Sequence, residues 1–314
     1  MRFHIILNPS ARMYQRDPTL LDRMRQASGS AEVHVTHSLE ELDEVCDQLA
    51  KNGCDAIALS GGDGTLSAGV SALSRAFAGE LPPVAPVPGG TAGTIARNWG
   101  IAGDPISYLR RLLAQPPRRN VRPSLHLSAV GPEMNNGAAT ERLGFIFGTG
   151  LVSKFFELYY EHGAKGYAGS AWLVAQIFVH SFYGGPLARR ILEPMPCTLV
   201  VDGVEQEPDA WSLICSAVIR NLGIHMMLTH CGGEDHARPH LVATPMTPRQ
   251  LGPRAPLVLA GKPLGGPHNV DQLTRNFEVR FPELSPYVLD GELLEADAVT
   301  VKAGPQITIL SAQR

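Results

Sequence analysis

The stretch Asp55 to Thr65, DAIALSGGDGT, is an apolar run that ends abruptly in Gly61-Gly62-Asp63-Gly64-Thr65. A short apolar segment stopping at three glycines in four positions reads as a buried strand entering a turn whose backbone approaches something closely. The residues from Leu66 to Phe77 continue as a helix. Uncovered turn N–H groups and the positive end of the helix dipole then face one spot, the arrangement that holds a phosphate. Asp63 opposes anion binding unless a cation lies between it and the phosphates, so the motif points to a nucleotide with Mg²⁺. A tight strand-to-helix turn without ligand is the alternative, weaker for GGDGT after a buried strand than for a lone glycine pair.

Upstream of this stretch, Phe3 to Leu7 is a short apolar run stopped by Asn8-Pro9-Ser10, a first strand entering a turn. Asn8 can bond local backbone there or reach a ligand. Glu32 to Thr36 reads as a second strand; Ser38 with Glu41 three residues on is a capping box opening a helix to about Lys51, closed by Gly53. Downstream, Leu81 to Pro88 supplies a fourth strand, followed by Gly89-Gly90-Thr91-Ala92-Gly93-Thr94 and a helix through Trp99. Strands alternating with helices imply a parallel sheet with ligands at the carboxyl ends of the strands. Asn8, GGDGT and GGTAGT therefore share one edge. Beyond a helix carrying Arg110 and Arg111, the segment Pro116 to Asn120 reads as a stiff basic connection between domains, its arginines solvated.

At 314 residues the chain exceeds a usual single domain, and two domains around a shared cleft are expected, divided as 1–122 and 123–314, with the last few residues free to return to the first. A net charge of −3 argues against a nucleic-acid binder. Five cysteines without a CxxC pair favour a reducing compartment, so a cytoplasmic location is expected. The N-terminus MRFHIILNPS has no long apolar core of a signal peptide, and no run reaches the roughly 18 apolar residues of a spanning helix.

After Arg122 the hydrophobic period shifts toward two. Ser124 to Val130, Leu143 to Phe147, Cys197 to Val201, Trp211 to Arg220, Phe277 to Phe281, Tyr287 to Leu289 and Gln306 to Leu310 read as strands of a mainly antiparallel sandwich or partly closed barrel. Two aromatic-rich helices interrupt it, Leu151 to Glu161 and Ala168 to Tyr183. Core packing is the plain reading of their apolar faces; lining a cleft for an acyl chain is the functional one.

Two constellations stand apart. His225, His230, Cys231, Glu234, Asp235, His236 and His240 lie close in sequence and suggest zinc, but their spacing matches no familiar signature and Gly232-Gly233 marks an ordinary polar loop. Asp290-Gly291-Glu292 follows an apolar strand; it is either a plain turn or a pair of carboxylates able to hold a metal or take a proton from a substrate hydroxyl.

LNPS at Leu7 to Ser10, SGGDGTLS at Ser60 to Ser67, VPGGTAGTIARNWGI at Val87 to Ile101 and LDGELLEA at Leu289 to Ala296 together resemble the diacylglycerol kinase catalytic family, in its order and spacing. That family includes bacterial lipid kinases and sphingosine and ceramide kinases, and is related to the NAD kinases. The resemblance implies an α/β nucleotide domain with a parallel sheet, a β-rich second domain with inserted helices, and ATP in the cleft between them. It implies that Gly61, Gly62, Asp63, Gly64 and Thr65 cradle ATP phosphates, with Asn8, Gly90 and Thr91 flanking the nucleotide. Asp290 then stands as general base, and Glu292 and Asp63 as Mg²⁺-linked carboxylates. The chain departs from the family pattern where Ala92 and Gly93 follow Thr91 in place of an Asn, where Pro123-Ser124 replaces an acidic residue, and in the Cys231 to His236 loop, which lacks the acidic ligands of a structural Mg²⁺.

The expected function is ATP-dependent phosphorylation of a hydroxyl on diacylglycerol or a sphingoid-type lipid, in lipid metabolism and phospholipid biosynthesis. Such a transfer needs positioning and charge neutralisation more than covalent chemistry. The partners implied are ATP, the lipid and a transiently touched membrane surface, with a homodimer left open. An NAD kinase-like enzyme and a catalytically impaired lipid- or nucleotide-binding protein are the alternatives.

Overall fold

The computed structural model describes residues 2–89, 93–131, 139–161 and 166–313. The chain divides into two compact units, Met1–Arg122 with Pro305–Arg314, and Pro123–Gly304.

The first unit is built on a six-stranded sheet in the order Glu32–Val35, Phe3–Leu7, Ala56–Gly61, Val84–Pro88, Ile307–Ser311, Arg118–Arg122. The first five run parallel and the last antiparallel to its neighbour. All of Phe3–Leu7 and all but the last residue of Ala56–Gly61 are buried, the unbroken apolar pattern of strands covered on both faces by helices. Each fully buried Ile or Leu there contributes about 1.5–3 kcal/mol. Leu39–Asn52 begins as the sequence predicts: Ser38 accepts from the Glu41 N–H at 3.2 Å. Glu41 reaches one residue further back than in a capping box, to the His37 N–H at 2.7 Å.

Three features differ from the sequence expectation. The helix after GGDGT starts inside the motif, spanning Asp63–Ala76 with Gly62 as its N-cap. Arg118–Arg122 is an edge strand rather than a connection, because its partner, Ile307–Ser311, comes from the far end of the chain where no local pattern could announce it. That partner, read with the strands of the β-rich half, lies in the first sheet, the return left open for the last few residues.

The second unit carries a ten-stranded antiparallel sheet. Its spine is a long hairpin, Asn276–Leu289 with Glu292–Ala303, flanked by Ile146–Gly150 on one side and Leu125–Val130 on the other. The two short strands expected from Phe277 to Leu289 are one, with a register shift between Arg280 and Ser285. The intervening Pro282 lacks the N–H that a regular ladder needs. Glu292–Ala303 was not expected as a strand, since ELLEADAVTVKA is too charged to stand out.

The helices Leu151–Glu161 and Gly166–Tyr183 split their apolar residues between two environments. Leu158, Tyr159, Leu173 and Ile177 join Ile191, Leu192 and Cys215 in a core. Tyr160, Trp172, Val179, Phe182 and Tyr183 are exposed, Trp172 by 66%. No helix among the described residues is long and apolar enough to cross a membrane.

Candidate active site

In the first unit the carboxyl ends of Phe3–Leu7, Ala56–Gly61 and Val84–Pro88 meet, as adjacent parallel strands must. Asn8 extends the first strand through its N–H to the Ser60 carbonyl at 3.1 Å. Its side chain bonds on both sides: Nδ2 donates to Thr65 Oγ1 at 2.9 Å and Oδ1 accepts from the Ser10 N–H at 2.9 Å. Asn8 therefore clamps the first turn of the Asp63–Ala76 helix to the end of the neighbouring strand.

The glycines serve space rather than unusual dihedrals. A Cβ on Gly61 would stand 2.2 Å from Thr65 Oγ1, and one on Gly89 would stand 2.7 Å from the Gly61 nitrogen. The two loops are thus packed backbone to backbone, and the Gly89 N–H donates to the Gly61 carbonyl at 3.0 Å. Gly64 has nothing near its Cβ position, leaving the first helical turn bare. The donors of a first helical turn have no partner within the helix and suit an anion. Tyr14 closes the base of this corner, its hydroxyl 2.6 Å from Ser60 Oγ. Burial pushes its pKa up against the lowering effect of that bond.

Asp63 faces a helix start rather than open solvent. Its Oδ2 accepts from the Thr94 N–H at 2.8 Å and its Oδ1 from the Ile95 N–H at 3.0 Å. One glycine motif thereby caps the short helix Thr94–Asn98 that follows the other. Burial raises the Asp63 pKa; the two amides, the Thr94 side chain and nearby Arg97 pull it down by less. Gly93, the N-cap of that helix, is left-handed, with φ 55° and ψ 47°. Gly90 and Thr91, expected to flank a nucleotide, lie outside the described residues.

Around this framework lies a cavity of about 400 Å³, lined among others by Gly61, Gly62, Asp63, Gly89, Gly93 and Ile101. Its volume falls within the range of about 300–1,000 Å³ typical of small-molecule sites. Arg16 and Arg97 also line it. Sequence reasoning passed over both arginines, although Arg97 sits within the quoted VPGGTAGTIARNWGI. A cavity with a helix N-terminus and two guanidinium groups suits a polyphosphate.

In the second unit Asp290 and Gly291 form the two-residue turn of the long hairpin, both with positive φ, 50° and 89°. Two positive dihedrals are what a type I′ turn demands, and Asp-Gly supplies them cheaply. Asp290 is 7% exposed. Its Oδ1 accepts from the Ile146 N–H at 2.8 Å and its Oδ2 from the Phe145 N–H at 3.0 Å, while its own N–H donates to the Ile146 carbonyl at 2.9 Å. The carboxylate thus ties the hairpin tip to the junction between Thr140–Gly144 and Ile146–Gly150. A Cβ at Gly144 would come within 2.8 Å of Asp290 Oδ2. Glu292 is exposed and lies 3.5 Å from Arg142. Tyr160 donates from its hydroxyl to the Gly291 carbonyl at 3.0 Å, bringing the first aromatic helix to the same turn.

A parallel sheet whose strand ends open on such a cavity, joined in one chain to a mostly antiparallel β unit, is a fold shared with diacylglycerol kinases of known structure. Residues 2–121 match the diacylglycerol kinase catalytic domain. The chain is similar to the crystal structure of a diacylglycerol kinase from Bacillus anthracis strain Sterne, with a TM-score of 0.62 over 99% of this chain and 96% of the other at 16% identity. Another chain from the same strain gives a TM-score of 0.65, again at 16% identity, covering 99% of this chain and 97% of the other. At that identity the likeness is one of fold. A yeast NADH kinase complexed with NADH aligns at a TM-score of 0.46 and 13% identity over 100% of this chain and 84% of the other, too low to bear on activity. No curated protein matches the chain by sequence.

Proposed function

We propose that this protein is an ATP-dependent lipid kinase that transfers the γ-phosphoryl group to a hydroxyl of diacylglycerol or a sphingoid-type lipid. The observation that carries the reading is the cavity at the Asp63–Ala76 N-terminus, with Arg16 and Arg97 on its wall, within a segment matching the diacylglycerol kinase catalytic domain.

The residues fit a nucleotide. Gly64 leaves the first helical turn uncovered toward phosphate oxygens, Gly61 and Gly62 line the cavity beside it, and Arg16 and Arg97 supply positive charge as the P–O bond to ADP breaks. A bound Mg²⁺ would supply positive charge to the phosphates. On this reading Asp63 would hold it in the first unit, through lone pairs left over from its two amide bonds, and Glu292 stands as a further candidate carboxylate in the second. Asp290 takes the proton of the attacking hydroxyl as the new P–O bond forms. The exposed Trp172, Phe182 and Tyr183 give the protein a side suited to brief contact with a lipid surface.

The deciding experiment incubates purified protein with labelled ATP, Mg²⁺ and a panel of diacylglycerol, sphingoid bases and NAD. A labelled lipid phosphate is the expected product. Labelled NADP in its place would move the enzyme to the NAD kinases. ATP binding without any transfer would favour an impaired binding protein, a reading supported by the engagement of the Asp290 carboxylate with backbone amides.

A further inference from the structure

We propose that His230, Cys231 and His240 form a zinc site in the second unit, oriented by Asp271. One ligand atom from each of the three lies within 4.8 Å of the others. His230 and Cys231 come from a loop, whereas His240 opens the strand His240–Thr244. Folding brings them together with the two imidazole rings edge to face, centroids 4.7 Å apart.

The hydrogen bonds around the cluster leave the histidine ligand atoms available, while the Cys231 thiol bonds to Glu234. His240 is 1% exposed, and its Nε2 lies 2.9 Å from Asp271 Oδ1 on the neighbouring antiparallel strand Val270–Leu273. An ionised carboxylate only accepts, so Nε2 carries the proton and the Nδ1 lone pair is directed elsewhere. That lone pair meets a single long contact, the Cys231 N–H at 3.4 Å. A carboxylate holding the far nitrogen of an imidazole is how metal-ligating histidines are oriented and made more basic. His230 Nδ1 is buried with no hydrogen-bond partner, a desolvation cost that a metal ion removes.

The loop is pinned against the sheet. Thr229 Oγ1 donates to the Ile219 carbonyl at 2.8 Å, and the Gly232 N–H donates to the Thr229 carbonyl at 2.8 Å. Only glycine fits at 232, where a Cβ would stand 2.3 Å from the Ile219 oxygen. His230 and Cys231 are therefore presented from a fixed backbone, as a site with little reorganisation requires. Two imidazoles and a thiolate select zinc over Mg²⁺ or Ca²⁺, which take oxygen ligands. The fourth position falls to water, while the same Asp271 oxygen lies 3.9 Å from His230 Nε2, behind that ring as well. Among the described residues one other group, His4, Glu32 and His34, has comparable spacing, but it contains no sulfur and its carboxylate is exposed.

The test uses the full chain, stripped with a chelator and titrated with Zn²⁺ and with Co²⁺. The expected result is one tightly held zinc per chain, a rise in melting temperature on loading, and a thiolate-to-cobalt charge-transfer band with Co²⁺. Cys231→Ser should abolish that band and weaken zinc binding roughly tenfold or more, as should Asp271→Asn for zinc affinity. His4→Gln should change neither. A cobalt complex without the thiolate band, or equal zinc affinity in wild type and Cys231→Ser, would overturn the site. Should Cys231→Ser fail to fold, the cobalt spectrum of the unaltered chain still decides.

Discussion

Both GGDGT and the Asp290-Gly291 turn combine aspartate with glycine at the end of a strand, and both carboxylates end on pairs of backbone N–H groups. They differ in what glycine does. At Gly61 it makes room, so that two loops and a helix start can touch; at Gly291 it provides a positive φ that closes a hairpin. They differ also in surroundings, since Asp63 lines a cavity of about 400 Å³ whereas Asp290 is buried within its own sheet. An Asp-Gly motif by itself thus signals a backbone device. Chemistry has to be argued from the space beside it.

Substitution of Asp290 tests the comparison hardest. If Asp290 is the general base, Asp290→Asn lowers kcat by roughly a hundredfold or more while ATP binding persists. The structure adds a second effect: an amide can turn only one oxygen toward two donors, leaving the Phe145 or Ile146 N–H unpaired at a cost of about 1–3 kcal/mol. Transfer, ATP binding and thermal unfolding measured on one preparation separate the two. Lost stability with unchanged kcat would make the two turns alike in being structural.

Asp63→Asn should lower kcat by roughly tenfold or more if the carboxylate organises phosphates and Mg²⁺. The sequence alone suggests little change in stability, but the bonds to Thr94 and Ile95 predict a loss of about 1–3 kcal/mol. The pH dependence has a definite sign. Burial raises the folded pKa of Asp63 above its ordinary value of about 3.9, so the ionised form is the disfavoured one in the fold. The stability it contributes is fullest below that value and is lost as pH rises toward the folded pKa. The gap between wild type and Asp63→Asn in chemical denaturation should therefore narrow from acid to neutral pH. A gap that widens would mean that the amides, not burial, dominate.

Arg97→Ala should act more mildly, weakening ATP binding by roughly tenfold through loss of one charged contact while leaving the sheet intact. Calorimetry with ATP reads it. Because Arg97 also lowers the Asp63 pKa, the variant should extend the pH range over which Asp63 loses stability. An unaltered ATP affinity would detach the cavity from the nucleotide.

Much of the first unit was legible because its signals are local. Unbroken apolar strands, the Ser38 cap and the glycine motifs each sit within a few residues of the structure they determine. What escaped was long-range. The edge strand Arg118–Arg122 depends on a partner at the C-terminus, and Glu292–Ala303 hides its period under charge until its neighbours are known. In the site, the motif glycines were plain, but the engagement of Asn8 with Thr65 and of Asp63 with Thr94 could not be seen, because side-chain partners across strands leave no trace in spacing. Arg16 was missed for the same reason, since exposed-looking arginines on a short helix give no hint of the cavity that one of them lines.

The smallest expected effect is at Gly93, where the family pattern has an Asn two residues after the threonine. With φ 55° and ψ 47° the position is left-handed, a conformation costing most side chains roughly 1–2 kcal/mol but less for Asn, whose short amide bonds local backbone. No atom lies within 4 Å of the Cβ that Asn would add, so packing raises no objection. Gly93 also lines the cavity, which puts the new amide beside the proposed nucleotide. Gly93→Asn should therefore shift unfolding by less than about 1 kcal/mol and bind ATP at least as tightly as wild type. Gly93→Val, at the same place and with the same room, should lose roughly 1–2 kcal/mol because a β-branched side chain resists positive φ. If both variants lose stability equally, backbone strain alone governs the position and glycine there serves the turn. If Asn is tolerated and tightens ATP binding, the open space at Gly93 belongs to the nucleotide site, and the position differs both from Gly61, where a Cβ would meet Thr65, and from Gly291, which closes a hairpin.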